Sequence, residues 1–252
     1  KQTKTAAPPL ANKIYITFTV SDGDNIQYNE HYMRQTWDDP ARGHAPLNWT
    51  INPVLEDAAP IILSHYQKTA TPNDLLAAGP SGVGYFHPSQ WPQDHLNTFL
   101  RQSDHYLRKA GLSTVYVLDT GSTLPDYVAR AYRNQMNLDG LFLLNASSQA
   151  QTVVMAQDFP VATMYWGSTR DRAVQQIQQS IAGWDGTSPL FISVLLNGWN
   201  VPASDAVYVA QHLNSNCVVV RGDQFFQLFR EASGLPAVQE RIGSNHYQRT
   251  HK

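Results

Sequence analysis

Asp22 and Asp24 stand two residues apart in TFTVSDGDNIQY (17–28), directly behind an apolar run and separated by a glycine. Two carboxyl groups at one point suit work on a polar bond. One can hand a proton to a leaving oxygen while the other attacks or activates water. The plainer reading is a turn, because Asp, Gly and Asn tolerate turn backbones and accept from free N–H groups at a helix start. One cap needs one acceptor, and Asp22, Asp24 and Asn25 offer three, which favours a functional role for the pair. Other polar residues also follow apolar runs: Asp119 after STVYVL, Asn145 after GLFLL, Asn197 and Trp199 after LFISVLL, and Asp223 after NCVVV. Trp166 ends PVATMYW.

Carboxylates, amides and tryptophans at strand ends have a natural ligand. Sugars present paired hydroxyls that carboxylates and amides can grip, and apolar ring faces that stack on Trp or Tyr. The composition agrees with a neutral polar partner. The chain has 252 residues, 18 basic and 20 acidic, a net charge of −2 and 11% aromatic residues. That balance supplies no basic field for a phosphate backbone, so nucleic acid is not an expected partner. No apolar run approaches the ~20 residues of a membrane span. The one cysteine, Cys217, lies in an apolar run and reads as a small core residue. No GxGxxG, Walker or GxSxG pattern occurs, which lowers the case for nucleotide binding or a serine nucleophile.

The elements that must position these residues alternate. Strands are expected over 13–20, 113–119, 140–144, 151–156, 160–166, 190–196 and 216–220. Helices are expected over 24–36, from Pro53 onward, and over 93–110, 125–136, 170–181, 203–213 and 223–232. Residues 38–52, with two prolines and a glycine, read as loop, and TPND (71–74) as a helix start. Strands alternating with helices imply parallel strands joined by crossovers, and continuous apolarity in VYVL, LFISVLL and CVVV implies burial on both faces. The expectation is an α/β fold, a mostly parallel (β/α) barrel of about seven or eight strands, complete or with one missing; an open doubly wound sheet is the alternative. In either fold the active site forms at the C-terminal strand ends. Residues 1–12 read as a linker or disordered N-terminus, 13–235 as a single catalytic domain, and 236–252 as a tail.

SGVGYFHP (81–88) resembles the signature of the GxGYxYP family of putative glycoside hydrolases. SDGDNIQY near the start, WDDPARG (37–43), PLNWTINP (46–53) and the ATPNDLLAAGPSG lead-in fit the C-terminal domain of that family in order, over about residues 13–230. The resemblance implies a barrel-like catalytic domain in a carbohydrate-degrading bacterial protein. Export to the periplasm or medium is usual there, as is an additional N-terminal domain, which is expected to be missing from this sequence. His87 stands where the signature has its second tyrosine, which puts substrate specificity in question. Read without the family, Gly82 and Gly84 permit tight turns, Tyr85 can stack, and the segment could equally be a structural corner.

The expected activity is cleavage of glycosidic bonds in a poly- or oligosaccharide. Asp22, Asp24 and Asp119 are the candidate catalytic residues. Asn25, Tyr85, His87, Trp166, Asn197, Trp199 and Asp223 are the candidate substrate contacts. No cofactor or metal is expected. Two alternatives remain: a metal-dependent polysaccharide deacetylase with Asp22 and Asp24 as ligand and base, and a non-catalytic carbohydrate-binding domain. The deacetylase needs histidine ligands, and no histidine pair at i, i+4 is present.

Overall fold

The computed structural model describes residues 2, 5–121, 123–144 and 150–238. Nine strands form one sheet: β1 (Ile14–Val20), β2 (Leu47–Ile51), β3 (Asp74–Ala78), β4 (Thr114–Leu118), β5 (Gly140–Leu144), β6 (Thr152–Met155), β7 (Phe159–Gly167), β8 (Leu190–Leu196) and β9 (Cys217–Val219). Seven of them are parallel neighbours in a closed ring, β1–β2–β3–β4–β5–β7–β8 and back to β1. β6 adds antiparallel to β7, and β9 pairs only with Ile14–Ile16 of β1. The helices are α1 (Ile26–Glu30), α2 (Tyr32–Trp37), α3 (Leu55–Ala58), α4 (Pro60–Thr69), α5 (Gln93–Ala110), α6 (Asp126–Gln135), α7 (Arg170–Ile181), α8 (Ala203–Gln211) and α9 (Gly222–Ala232).

Side-chain alternation divides each barrel strand between two cores. Ile14, Ile16, Phe18 and Val20 of β1 belong to a cluster shared with the helices, together with Val115 and Val117 of β4. The opposite phase, Tyr15, Tyr116, Phe142, Ala162, Met164, Phe191 and Leu195, forms a second cluster that fills the barrel. Both phases are buried, so the strands read as continuous apolar runs. On α5, Leu96, Leu100, Ser103 and Leu107 are buried. That helix stops at Gly111, whose φ of 74° suits glycine. Phe225, Phe226 and Phe229 of α9 close the barrel at the strands' N-terminal ends, where Phe226 meets Phe142 and Phe225 meets Phe191. Burying each of these rings contributes about 1.5–3 kcal/mol.

Three expectations about elements need correction. Residues 47–51 are a barrel strand, not loop. Asn48 and Thr50 disguise it: both face the interior, where Asn48 donates to Thr17 and Thr19 and Thr50 donates to the carbonyl of Val20. TPND starts no helix. Asp74 opens β3, its carboxylate taken up by Thr71, Arg42 and the Trp49 indole, so DLLAA is a strand against its own helical propensity. The helix expected over 24–36 is two, broken at His31. Residues 5–12 lie against the closed end, where Ala7 and Leu10 pack on the barrel cluster and the Ala11 N–H donates to the Tyr15 hydroxyl. Residues 239–252, most of the expected tail, and Asn145 lie outside the described residues.

Candidate active site

The loop after β1 is wedged between its neighbours. The Gly23 N–H donates to Thr50 Oγ1 at 2.9 Å, and Asn52 Nδ2 donates to the Asp24 carbonyl at 2.8 Å. A Cβ on Gly23 would lie 2.0 Å from the Thr50 carbonyl, and one on Gly79 would lie 2.6 Å from the Asp24 nitrogen. The chain thus runs backbone to backbone across the ends of β2 and β3, which only glycine permits at these two positions. Asp22 takes a positive φ of 74°, and Ser21 Oγ donates to its Oδ2 at 2.5 Å.

Asn25 caps α1: its Oδ1 accepts from the Tyr28 N–H at 3.2 Å. Neither aspartate is needed there. Asn25 is exposed beside the pair, with its acceptor committed to the cap. Asp24 is half-buried, and burial, reinforced by the neighbouring Asp22 carboxylate, holds its carboxyl above the ordinary range despite backbone hydrogen bonds that act the other way. The Asp24 carboxyl thus keeps its proton more readily than an ordinary aspartate.

The loop after β8 closes on this one from the other side. The Gly198 N–H donates to Ser21 Oγ at 3.1 Å, and the Tyr28 hydroxyl donates to the Gly198 carbonyl at 3.2 Å. Trp199 stands 5.0 Å, centroid to centroid, from both Tyr28 and Tyr32, and is 42% exposed. Asn197 Oδ1 accepts from the Trp199 N–H at 2.9 Å and fixes that turn. Trp166, at the end of β7 and opposite Leu195 of β8, is 43% exposed. Two indole faces are thus open at the rim.

The glycine-rich segment roofs the β3–β4 seam, where the two strands pair at a single position, Ala78 opposite Val115. Ser81 Oγ bridges the seam, accepting from the Leu118 N–H at 3.2 Å and donating to the Phe86 carbonyl at 2.9 Å. Gly82, with φ of 150°, lies where a Cβ would be 2.6 Å from Ser103 Oγ of α5. Gly84 has nothing within 4 Å of such an atom, so packing explains the first glycine of the motif and not the second. Tyr85 is 59% exposed and meets His87 edge-on at 5.6 Å. Asp119 is buried; its Oδ1 accepts from Ser89 Oγ at 2.6 Å, whereas its Oδ2 and the Nδ1 of His87 are buried without a partner among the described residues.

Asp223 was expected on the same rim and lies at the opposite end. β9 reaches only the lower half of β1, so its C-terminus stops near the starts of the other strands. There Arg221 holds Asp223 through two hydrogen bonds, 3.0 and 2.5 Å, and donates to the carbonyl of Pro72, just before β3. Sequence reasoning also missed Tyr116. It sits mid-strand in β4, inside the barrel, and Asp22, Asp24 and Tyr85 are all near enough to act on its phenol. Its one sequence signal is a polar-tipped aromatic in an apolar strand. Among the described residues, no three His, Cys, Asp or Glu side chains are grouped to hold a metal ion.

A closed parallel (β/α) barrel with paired carboxyl groups and open aromatic faces at its C-terminal mouth defines the class of this protein. The chain belongs to the family described as the GxGYxYP putative glycoside hydrolase C-terminal domain, whose sequence model matches residues 12–230. Among solved structures it is similar to a putative hydrolase from Bacteroides thetaiotaomicron, with 27% identity and a TM-score of 0.81 over 92% of this chain. The match takes in 48% of that protein, so the chain spans about half its length. A putative polysaccharide deacetylase from Mycobacterium smegmatis (11% identity, TM-score 0.55, 95% of this chain and 98% of that one) shares the fold. So does an alpha-mannosidase from Enterococcus faecalis (10% identity, TM-score 0.51, 89% and 30%). No curated protein matches the chain.

Proposed function

We propose that this chain is the catalytic domain of a glycoside hydrolase that cleaves poly- or oligosaccharides with Asp22 and Asp24. The observation that carries the reading is the pair itself: two carboxyl groups on one wedged loop, relieved of capping by Asn25, with Asp24 biased toward its protonated form. In this reading Asp24 gives its proton to the glycosidic oxygen as the bond to the anomeric carbon breaks. Asp22, oriented by Ser21 Oγ, is the partner that attacks that carbon or takes the proton of the attacking water. Trp166 and Trp199 stack on sugar faces, and Tyr85 contributes a third face. The family name and the similarity to a putative hydrolase support a carbohydrate-active hydrolase in general; the linkage chemistry and the residues are our inference.

The test is incubation with a panel of polysaccharides and oligosaccharides, with products read by mass spectrometry, for the native chain and for Asp22→Asn and Asp24→Asn. Shorter chains from the native protein alone support the proposal. Full-length chains that have lost acetyl groups overturn it in favour of a deacetylase. Unchanged chains that are bound as tightly by the variants as by the native protein leave a binding domain.

A further inference from the structure

The hydroxyl of Tyr116 is placed where a ligand would need it and does nothing for the free protein. Tyr116 lies on the interior phase of β4, between Val115 and Val117, which face the helices. Its ring packs with Phe142 and the rest of the barrel filling, and only 3% of the residue is exposed. Yet the hydroxyl makes no hydrogen bond among the described residues, and it is not one of the buried atoms sealed without a partner. The exposed remnant therefore includes the phenolic tip. A buried tyrosine ordinarily satisfies its O–H within the protein, as Tyr28, Tyr66 and Tyr132 do here with the carbonyls of Gly198, Asn29 and Ser81.

The strand register gives the direction of that tip. Ala78 of β3 is opposite Val115, so Gly79 runs beside Tyr116. Gly79 is also the residue against which Gly23 and Asp24 press, 2.6 Å from where its Cβ would be. The loop that carries the aspartate pair thus crosses one strand away from Tyr116, at its C-terminal side. The charges of Asp22 and Asp24 and the Tyr85 ring act on the phenol accordingly.

We propose that Tyr116 is the floor of the saccharide site, a substrate-contacting residue whose O–H donates to an oxygen of the sugar ring held at the Asp22–Asp24 pair. Burial and the two carboxylates keep the phenol protonated far above neutral pH, so it remains a donor over the whole working range. A donor fixed on a barrel strand selects sugars that turn an acceptor oxygen into the barrel and disfavours a ring that presents only carbon there, since the hydroxyl would then be buried unpaired. The inference rests on the glycoside hydrolase reading and adds a recognition group to it.

Tyr116→Phe removes only that hydroxyl. Because the O–H has no partner among the described residues, the variant is expected to melt at or above the native temperature. Affinity would be measured by calorimetry in an Asp24→Asn background, which removes turnover, with cello-, malto-, manno- and chito-tetraose as probes. Adding Tyr116→Phe is expected to weaken the best-bound probe about tenfold, the usual size for a hydrogen bond of this kind. An unchanged affinity overturns the role of Tyr116 and leaves the hydrolase reading intact. A lowered melting temperature also overturns it, because it would mean that the hydroxyl serves the fold. If none of the four probes binds the Asp24→Asn protein, the saccharide site and the role of Tyr116 fall together.

Discussion

At the closed end of the barrel, Asp223 and Asp74 each have a cation. Arg221 grips Asp223 through two hydrogen bonds, and Arg42 meets Asp74, which also accepts from Trp49 and Thr71. At the open end and among the described residues, Asp22, Asp24 and Asp119 have no ion pair, and one oxygen of Asp119 has no hydrogen-bond partner. Burying an unpaired carboxylate is costly, so a protein retains one only where something else compensates. The closed end reads as structure, with the Asp223 and Asp74 carboxylates both answered from within the chain. The open end reads as a site, with its hydrogen-bonding capacity left for a ligand.

The sharpest way to separate the two ends is to neutralise each in turn. Asp24→Asn at the mouth is expected to lower kcat by about 10³-fold or more while the protein remains folded, the range for losing a proton donor; steady-state kinetics with far-ultraviolet circular dichroism checks both. Asp223→Ala at the closed end should do the reverse. It strands the Arg221 guanidinium and is expected to cost about 3–5 kcal/mol of stability in urea denaturation, with turnover per folded molecule unchanged. If Asp223→Ala instead abolished turnover in a folded protein, the division between the ends would fail.

Gly23→Ala tests whether the mouth is as rigid as its packing implies. The new methyl would meet the Thr50 backbone at 2.0 Å, displacing both aspartates, and a displacement near 1 Å is expected to lower kcat/KM about 10²-fold. Smaller still is the effect of the aromatic faces. Trp166→Ala and Trp199→Ala should each weaken saccharide binding about 3- to 10-fold, the worth of one ring contact, as read by calorimetry.

The last contrast is one of sign. The Asp24 carboxyl is held above its unfolded value, so the folded state is favoured while the group is protonated, and that advantage is lost as pH rises through the folded value. Asp24→Asn should accordingly raise the melting temperature at neutral pH, and the difference should shrink as pH falls below about 4, the ordinary aspartate range. Asp223→Asn, which removes a paired charge, should lower the melting temperature at neutral pH.

Legibility differed among the barrel strands for physical reasons. β4, β5, β7 and β8 are mostly apolar on both phases, β1 is apolar on the phase that faces the helices, and all five stood out. β2 carries Asn48 and Thr50 on the phase that points into the barrel, and no local pattern marks polar groups that hydrogen-bond to another strand 29 to 31 residues away. β3 begins with a buried aspartate and continues with helix formers, and Thr71, Arg42 and Trp49 together make that start tolerable. In the candidate site, the Asp22–Asp24 pair and the Tyr85–His87 segment were visible because each is contiguous. Tyr116 was not, since its place depends on which strand lies beside β3.

The sequence by itself determined the α/β class, most of the element order, the family and the loop that carries the paired carboxyl groups, because alternation, caps and contiguous motifs are short-range properties. Tertiary structure alone decided that the ring closes through β1 with β2 and β8, that Asp223 faces away from the mouth, that Asn25 relieves the aspartates of capping, and that a phenol waits beneath them. Each of those depends on which distant strands become neighbours and in what register, and that choice is made by packing the whole barrel at once.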